Sequence, residues 1–226
     1  MPTFGDHVRW GSPEDQSAAL TDLSRQLIAR ANEIAAATPR TEASAVHERL
    51  LRAAAGTVDL VAKDSVDAPL PVLALATRNL FEINLRARHV MASEANLRRW
   101  LSEVLLDRIH LYEGILTLGG SEELRGQILK EIEDNRALAR KHGLALKGSP
   151  MHTSQLAEEV GMQQEYTGLF KFYSKLLHPT SYAVNVSPAE VGSLVNRNIL
   201  LGQLQLYGHD LLGRSQQWFG APTGAA

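Results

Sequence analysis

The sequence of 226 residues contains no cysteine. This absence excludes disulfides, thiolate metal sites, iron–sulfur clusters and a cysteine nucleophile. Valine and isoleucine, which favour strands, number only 21 together, so a β-sandwich or β-barrel is not expected. No uninterrupted apolar run approaches the roughly 18 residues that indicate a transmembrane helix.

The chain also lacks an excess of charge of either sign, because 23 basic residues face 25 acidic ones and the formal net charge is −2. This balance argues against a protein that binds nucleic acid through bulk positive charge, but it leaves a local anion site open. The segment Met1–Pro13 has no apolar core of signal-peptide length. We therefore expect a cytoplasmic protein that does not engage a membrane.

Leucine and alanine are abundant, with 34 and 28 residues. Both are strong helix formers, so the composition predicts an all-α protein. We predict a single bundle of about seven to eight helices over residues 13–218, with an N-terminal arm (1–12) and a flexible C-terminal tail (219–226). The loop over 144–152 is the best candidate for an internal boundary.

Capping residues and Pro or Gly breaks divide the chain into successive helices. The predicted helices span residues 13–38, 41–63, 71–92, 94–118, 122–142, 153–160, 163–177 and 188–218. The helix over 71–92 is apolar nearly all round, which is typical of a buried helix, and we expect it to lie at the centre of the bundle.

This central helix nevertheless carries four ionisable residues, Arg78, Glu82, Arg86 and His89. At about 100° per residue they share an arc of roughly 80°. An unpaired buried charge is costly, so these groups need partners if the arc is buried. The arc is either a polar cavity with a carboxylate between two guanidiniums, or an ion-pair ladder at a structural or solvated edge.

A second unusual segment runs from Tyr173 and Ser174 to His178 and Pro179. Proline biases the preceding residue away from helical φ and ψ, so the His178 imidazole is predicted at a helix terminus. Beside the two hydroxyl groups it would be a plausible general base. The alternative is a C-capping histidine that partners the last carbonyl groups of the helix.

Two patterns suggest metal ligands. Asp107-x-x-His110 is typical of carboxylate-bridged di-metal bundles, and the spacing of Glu82 and His89 is similar to the first ligand pair of haem-oxygenase-like di-iron oxidases. The set of ligands is incomplete, so we predict no metal and no cofactor. Ion pairs on an exposed face explain the row Arg99, Glu103, Asp107 and His110 more simply.

Two motifs together resemble a widespread bacterial family of helical proteins that is known only as a domain of unknown function. They are the Arg-x-x-x-Glu of Arg78 and Glu82, and the Tyr-Ser-x-x-x-His-Pro that begins at Tyr173. The resemblance covers about Pro71–Tyr182. It implies an all-α fold in a bacterial cytosol, and it favours Arg78, Glu82 and His178 as site residues.

The chain also has a weaker likeness to HEPN-type bundles, which often cleave RNA in toxin and phage-defence systems. Those ribonucleases use an Arg and a His on one helix, with four to six residues between the two. The stretches Arg40–His47 and Arg136–His142 match this spacing. No Arg stands at this spacing before His178, so the likeness does not by itself imply ribonuclease activity.

Our main hypothesis is a site between the helix over 71–92 and the His178 terminus. Arg78 and Arg86 would hold an anion, such as a phosphate group or a locally bound nucleic acid. Glu82 would orient Arg78 or act as a base, and His178 would act as acid or base. The remaining candidate ligand-binding residues are His89, Tyr173 and Ser174.

Two alternatives come from other classes of protein. The first is a non-catalytic interaction module that forms a homodimer, in which the first helix and the stretch Leu200–Leu212 present the apolar partner face. The second is a carboxylate and histidine di-metal oxidase. The sequence does not decide whether the protein is an enzyme.

Overall fold

The computed structural model describes residues 8–63, 67–148, 150–178, 180, 184–187, 190 and 193–220. In these residues no strand occurs, and the all-α prediction of seven to eight helices is confirmed. The main helices are α1 (Pro13–Ala36), α2 (Glu42–Ala62), α3 (Leu70–Ala92), α4 (Glu94–Thr117), α5 (Glu122–His142), α6 (Thr153–Glu159), α7 (residues 163–177) and α8 (Leu194–Phe219). Within the described residues, none of them has both the length and the hydropathy needed to cross a bilayer.

The predicted start and stop signals do form caps. The Ser12 hydroxyl accepts a hydrogen bond from the Asp15 amide at 3.2 Å, and the Asp15 carboxylate accepts one from the Ser12 amide at 3.0 Å. Thr41 and Ser44 make the same reciprocal pair at the start of α2. Gly143 closes α5 with φ of 61°, a left-handed conformation that glycine adopts without strain.

Helix α7 is not uniform, although the sequence predicts a regular helix. It begins as Gln163–Glu165, continues as a π-helical turn over Tyr166–Phe170, and ends as Lys171–Leu177. A π-helical turn is wider than an α-helical one, and such turns are frequent at functional sites.

The last helix begins later than predicted, although the Ser187 hydroxyl does accept a hydrogen bond from the Glu190 amide at 3.2 Å, as a capping residue does. Helix α8 begins at Leu194, because the Ser193 hydroxyl supplies the N-cap and accepts a hydrogen bond from the Asn196 amide. Pro188 and Ala189, which were also expected to open this helix, lie outside the described residues.

The described chain divides into two compact units. The first unit contains the residues up to Arg88 and those from Thr153 onward, and the second is His89–His152. The candidate boundary loop over 144–152 ends the second unit. The division into arm, single bundle and tail stays a prediction, and residues 1–7 and 221–226 lie outside the described part of the chain.

The core of the first unit comes from leucine-rich faces of α1, α2, α3 and α8. Fully buried side chains include Leu20, Leu23, Leu27, Leu51, Leu73, Leu80, Phe81, Leu85, Leu200 and Leu204. Helices α1 and α8 approach closely at Gly208, where an added Cβ would lie 2.6 Å from Leu23. This close approach explains the glycine in the middle of α8.

Helices α3 and α8 run parallel to each other. The Thr77 hydroxyl donates to the Leu200 carbonyl at 3.3 Å, and the Asn84 amide donates to the Tyr207 carbonyl at 3.2 Å. Both pairs are separated by 123 residues in the sequence, so the two helices advance in the same direction and in constant register.

The second unit is built around α4 and α5. Its small core contains Ile109, Ile128 and Ile132, and partly buried side chains complete it. These surrounding side chains are Tyr112, Ile115, Leu116 and Leu146.

Candidate functional site

Arg78 and Glu82 form an ion pair one turn apart on α3. The Arg78 Nε donates to the Glu82 Oε1 at 3.0 Å, and the two side chains are 28% and 34% exposed. The predicted polar arc therefore begins at the half-buried margin of α3, where solvent and ligands can reach it, and not in an enclosed core.

Aromatic residues of the π-helical turn lie against this pair. The Arg78 Cζ is 4.4 Å from the centre of the Phe170 ring. Tyr166 stacks on Phe170 with 4.8 Å between the ring centres. Cation–π attraction and the bond to Glu82 together fix the plane of the guanidinium group.

The terminal nitrogens of Arg78 are available. Among the described residues, the only hydrogen bond from this side chain is the one that leaves Nε. A guanidinium group carries five N–H donors, so the N–H groups of Nη1 and Nη2 are left for a ligand. A planar anion such as phosphate or carboxylate matches this fork.

The other two members of the arc lie further along α3. Arg86 is half-buried two turns beyond Arg78. His89 is 4% exposed and belongs to the second unit. The Asn96 amide lies 3.3 Å from the His89 Nδ1 and donates to the His89 carbonyl at 2.9 Å, which ties the end of α3 to the first turn of α4.

Tyr173 and Ser174 face different surroundings. Tyr173 is fully buried, and its hydroxyl donates to the Gln203 Oε1 at 2.7 Å. Burial raises the pKa of Tyr173 far above its ordinary value, and neighbouring Tyr207 raises this pKa further. Burial likewise raises the pKa of Tyr207 to about 12. Ser174 is half-buried, and its carbonyl accepts a hydrogen bond from the His178 amide at 3.2 Å.

His178 ends α7 in an extended conformation, with φ of −100° and ψ of 153°, as predicted. Its side chain is exposed, and among the described residues the imidazole has no hydrogen-bond partner. Eight residues of helix, about 12 Å, separate it from Phe170 beside Arg78. No contact in the described chain joins His178 to Arg78 or Glu82, and its catalytic role stays a prediction. Pro179 lies outside the described residues.

A buried polar network, which was not predicted from the sequence, joins α3 and α8. The Asp210 carboxylate is 5% exposed and accepts hydrogen bonds from Asn84 at 2.8 Å, Arg88 at 2.7 Å and Arg214 at 3.0 Å. A signal was present, since Asp210 is the single acidic residue among the leucines of α8. An isolated charge on a buried helix requires partners.

The first HEPN-like stretch places its histidine in the core. His47 is 0% exposed, and its ring packs against Trp218 and Phe219 at centroid distances of 5.2 and 5.1 Å. Burial and, secondarily, the charge of Arg30 lower the pKa of His47 to about 4. The matching Arg40 pairs with Glu48, so in this stretch the two residues do not form a joint site.

The second HEPN-like stretch lies on an exposed face of α5. Arg136 forms an ion pair with Glu113 at 3.3 Å, and both side chains are about half exposed. His142 is exposed in the last turn of the helix. This arrangement agrees with the predicted solvated face.

The described residues give little support to a di-metal oxidase or to a dimerisation face on α1 and α8. Within the described residues, no three His, Asp or Glu side chains are grouped so that they could hold a metal ion, so the oxidase lacks a ligand set there. Leu200, Leu204 and Leu211 are fully buried, and α8 packs against α1 of the same chain. These leucines are therefore buried within the chain and do not supply the predicted apolar partner face, while the homodimer itself stays a prediction.

Comparisons with known proteins place the chain in one family. No curated protein and no solved structure matches the chain. One family model, described as a family of unknown function (DUF5677), matches residues 43–187. The match extends on both sides of the predicted Pro71–Tyr182 and contains α3, α7, Arg78, Glu82 and His178 within it. Since it covers more than half of the sequence, the chain belongs to the DUF5677 family of unknown function.

Proposed function

We propose that this protein binds a small anion, such as a phosphate group, at the guanidinium of Arg78. The proposal rests on one observation about this side chain. Its Nε donates to Glu82 and one face of the guanidinium lies on the Phe170 ring, while Nη1 and Nη2 have no partner in the described residues. Glu82 orients the guanidinium, and Phe170 supports it from one side.

This arrangement lowers the entropic cost of binding. A free arginine loses side-chain freedom when it grips a ligand. Arg78 has lost most of that freedom already, because Glu82 and Phe170 hold it in one plane. A partly desolvated position also strengthens charge-assisted hydrogen bonds relative to those on an open surface.

Arg86 is the second cation of the proposed site. It lies eight residues from Arg78 on the same face of α3, about 12 Å along the helix axis. An extended anion with more than one charged group would span this distance better than a single phosphate ion. A single-stranded nucleic acid is such an anion, and RNA is the form that the HEPN likeness suggests.

Catalysis would require Glu82 and His178 to act on the same bound molecule. Glu82 would act as base and His178 as acid or base only if one substrate reaches both. The exposed imidazole of His178 and the separation of about 12 Å from Phe170 favour binding over a compact catalytic centre. A His178→Ala variant is accordingly expected to keep the affinity for phosphate.

The binding site can be tested by titrating the full chain with inorganic phosphate. The readout is the set of NMR signals from α3 and α7. We expect saturable shifts of the Arg78 Nε–H signal and of the amides near Phe170. Arg78→Gln should weaken binding by at least about tenfold, since it removes charge-assisted hydrogen bonds. Arg49→Gln, which removes an exposed arginine of α2, should have no effect.

A second arm uses a short single-stranded RNA in place of the free ion. If RNA binds more tightly than phosphate and Arg86→Gln reduces only the affinity for RNA, the extended form of the proposal is supported. The proposed site would be refuted if Arg78→Gln bound phosphate as tightly as the wild type does and also bound RNA as tightly as the wild type does.

A further inference from the structure

We propose that the second unit carries a separate binding site for a small organic phosphate. A cavity of about 370 Å³ lies between α4 and the loop that follows α5, entirely within His89–His152. Its size is near the lower end of ligand pockets, which hold about 300–1,000 Å³.

The lining of the cavity is strongly basic. Arg98, Arg99 and Lys147 contribute three positive charges, and Glu103 contributes one negative charge. A lining with more basic than acidic side chains favours an anion over a cation.

Arg99 repeats the arrangement seen at Arg78. Its Nε donates to the Glu103 Oε1 at 3.2 Å, so Arg99 and Glu103 form a second Arg-x-x-x-Glu pair. The Glu103 side chain is 11% exposed and anchors the guanidinium firmly. In the described part of the chain the terminal nitrogens of Arg99 have no partner, and they can bind two oxygens of one phosphate group.

Arg98 removes an obstacle to anion binding. The cavity lies at the C-terminus of α5, where free carbonyl groups would repel a negative charge. The Arg98 Nη2 donates to the carbonyl of His142 and, at 3.4 Å, to that of Gly143. Two carbonyl groups at this helix end are thus already partnered.

The loop after α5 supplies further donors and an apolar wall. Among the described residues, the backbone amides from Ala145 to Gly148 donate to no backbone carbonyl, and Lys147 forms no ion pair. Free amides combined with a lysine are typical of phosphate sites. Leu106 and Leu144 line the same cavity, so the ligand is expected to carry an apolar group beside its phosphate.

Phenyl phosphate is a suitable probe, because it combines a dianion with a small apolar ring. Added to the full chain, it should cause saturable NMR shifts at the amides of residues 144–148. Arg99→Gln and Lys147→Gln should each weaken binding by at least about tenfold. Two matched controls, Arg108→Gln on α4 and Lys130→Gln on α5, remove exposed charges outside the cavity and should not change the affinity.

Phenol tests whether the charge is needed, and it should not bind at concentrations where phenyl phosphate saturates the site. Unchanged affinity in both cavity variants, or equal binding of phenol and phenyl phosphate, would overturn the proposal. Arg78→Gln is expected to leave the shifts of residues 144–148 intact, so failure here and failure of the Arg78 site can be told apart.

Discussion

His47 shows how one buried side chain can make stability depend on pH. Burial and the nearby charge of Arg30 lower its pKa from 6.5 to about 4. Arg30 itself is buried and donates to the Ser215 hydroxyl and carbonyl and to the Gly220 carbonyl. Neither ring nitrogen of His47 has a hydrogen-bond partner in the described residues, so nothing compensates a proton on the ring.

The sign of the effect follows from the lowered pKa. Between pH 6.5 and pH 4 the unfolded chain binds a proton at His47 and the folded chain does not, so stability falls as the pH falls through this range. From pH 7 to pH 5 the free energy of unfolding should decrease by about 2 kcal/mol through His47 alone. Urea unfolding followed by tryptophan fluorescence at several pH values measures this decrease.

His47→Phe is the matched control for this prediction, because phenylalanine keeps an aromatic ring between Trp218 and Phe219 but does not titrate. Between pH 7 and pH 5, the free energy of unfolding of the variant should decrease by about 2 kcal/mol less than that of the wild type. The same pH dependence in both proteins would show that other groups cause it.

The Asp210 network joins two helices through charge. Asp210 of α8 accepts hydrogen bonds from Asn84 and Arg88 of α3. The side chains of Asn84 and Asp210 are buried, and that of Arg88 is 17% exposed. Leucines on both helices supply apolar contact, but apolar contact alone does not fix register. The three polar groups can be satisfied together only at one offset between the helices.

Asp210→Ala should lower the free energy of unfolding by about 3–5 kcal/mol, because it leaves the Arg88 charge and the Asn84 amide buried without their acceptor. Arg214→Gln offers a comparison, since Arg214 is 29% exposed and its loss should cost about 1 kcal/mol or less. Urea unfolding curves measure both values. A loss for Asp210→Ala no larger than that for Arg214→Gln would contradict the role given to the network.

Sequence reasoning succeeded for elements that depend on local signals. The cap at Ser12 and the stop at Gly143 follow from residue type and position. The π-helical turn of α7 could not be predicted, because Tyr166–Phe170 has no composition that separates it from an α-helix. The Arg78–Glu82 pair follows from the helical spacing, but the contact of Arg78 with Phe170 does not, because Phe170 reaches Arg78 only after α3 and α7 have packed.

The segment that matches the family model lacks the first and last helices of the fold. Residues 43–187 exclude both α1 and α8. In the first unit, α1 packs against α2 and α8, while α8 supplies the hydrogen-bond acceptors for Thr77 and Asn84. The shared segment therefore carries the candidate residues of the Arg78 site without α8, which contacts α3, and without α1, which packs against α2 and α8.

A fragment of residues 43–187 is expected not to form the native first unit. Its α2 and α3 would expose leucine-rich faces that the full chain buries, at a cost of about 25 cal/mol per Å² of apolar surface. Circular dichroism and urea unfolding of the fragment and the full chain test this expectation. A fragment with a cooperative transition at the same urea concentration as the full chain would contradict it.

The parallel register of α3 and α8 has a consequence during synthesis of the chain. Asn84 and Arg88 leave the ribosome more than 120 residues before Asp210, their common acceptor. At ordinary translation rates of about 5–20 residues per second, this interval lasts roughly 6–25 seconds. During this interval Asn84 and Arg88 lack their shared acceptor, and the apolar surface of the nascent α3 is uncovered. We therefore expect chaperone binding and aggregation of the nascent chain to be greatest in this period.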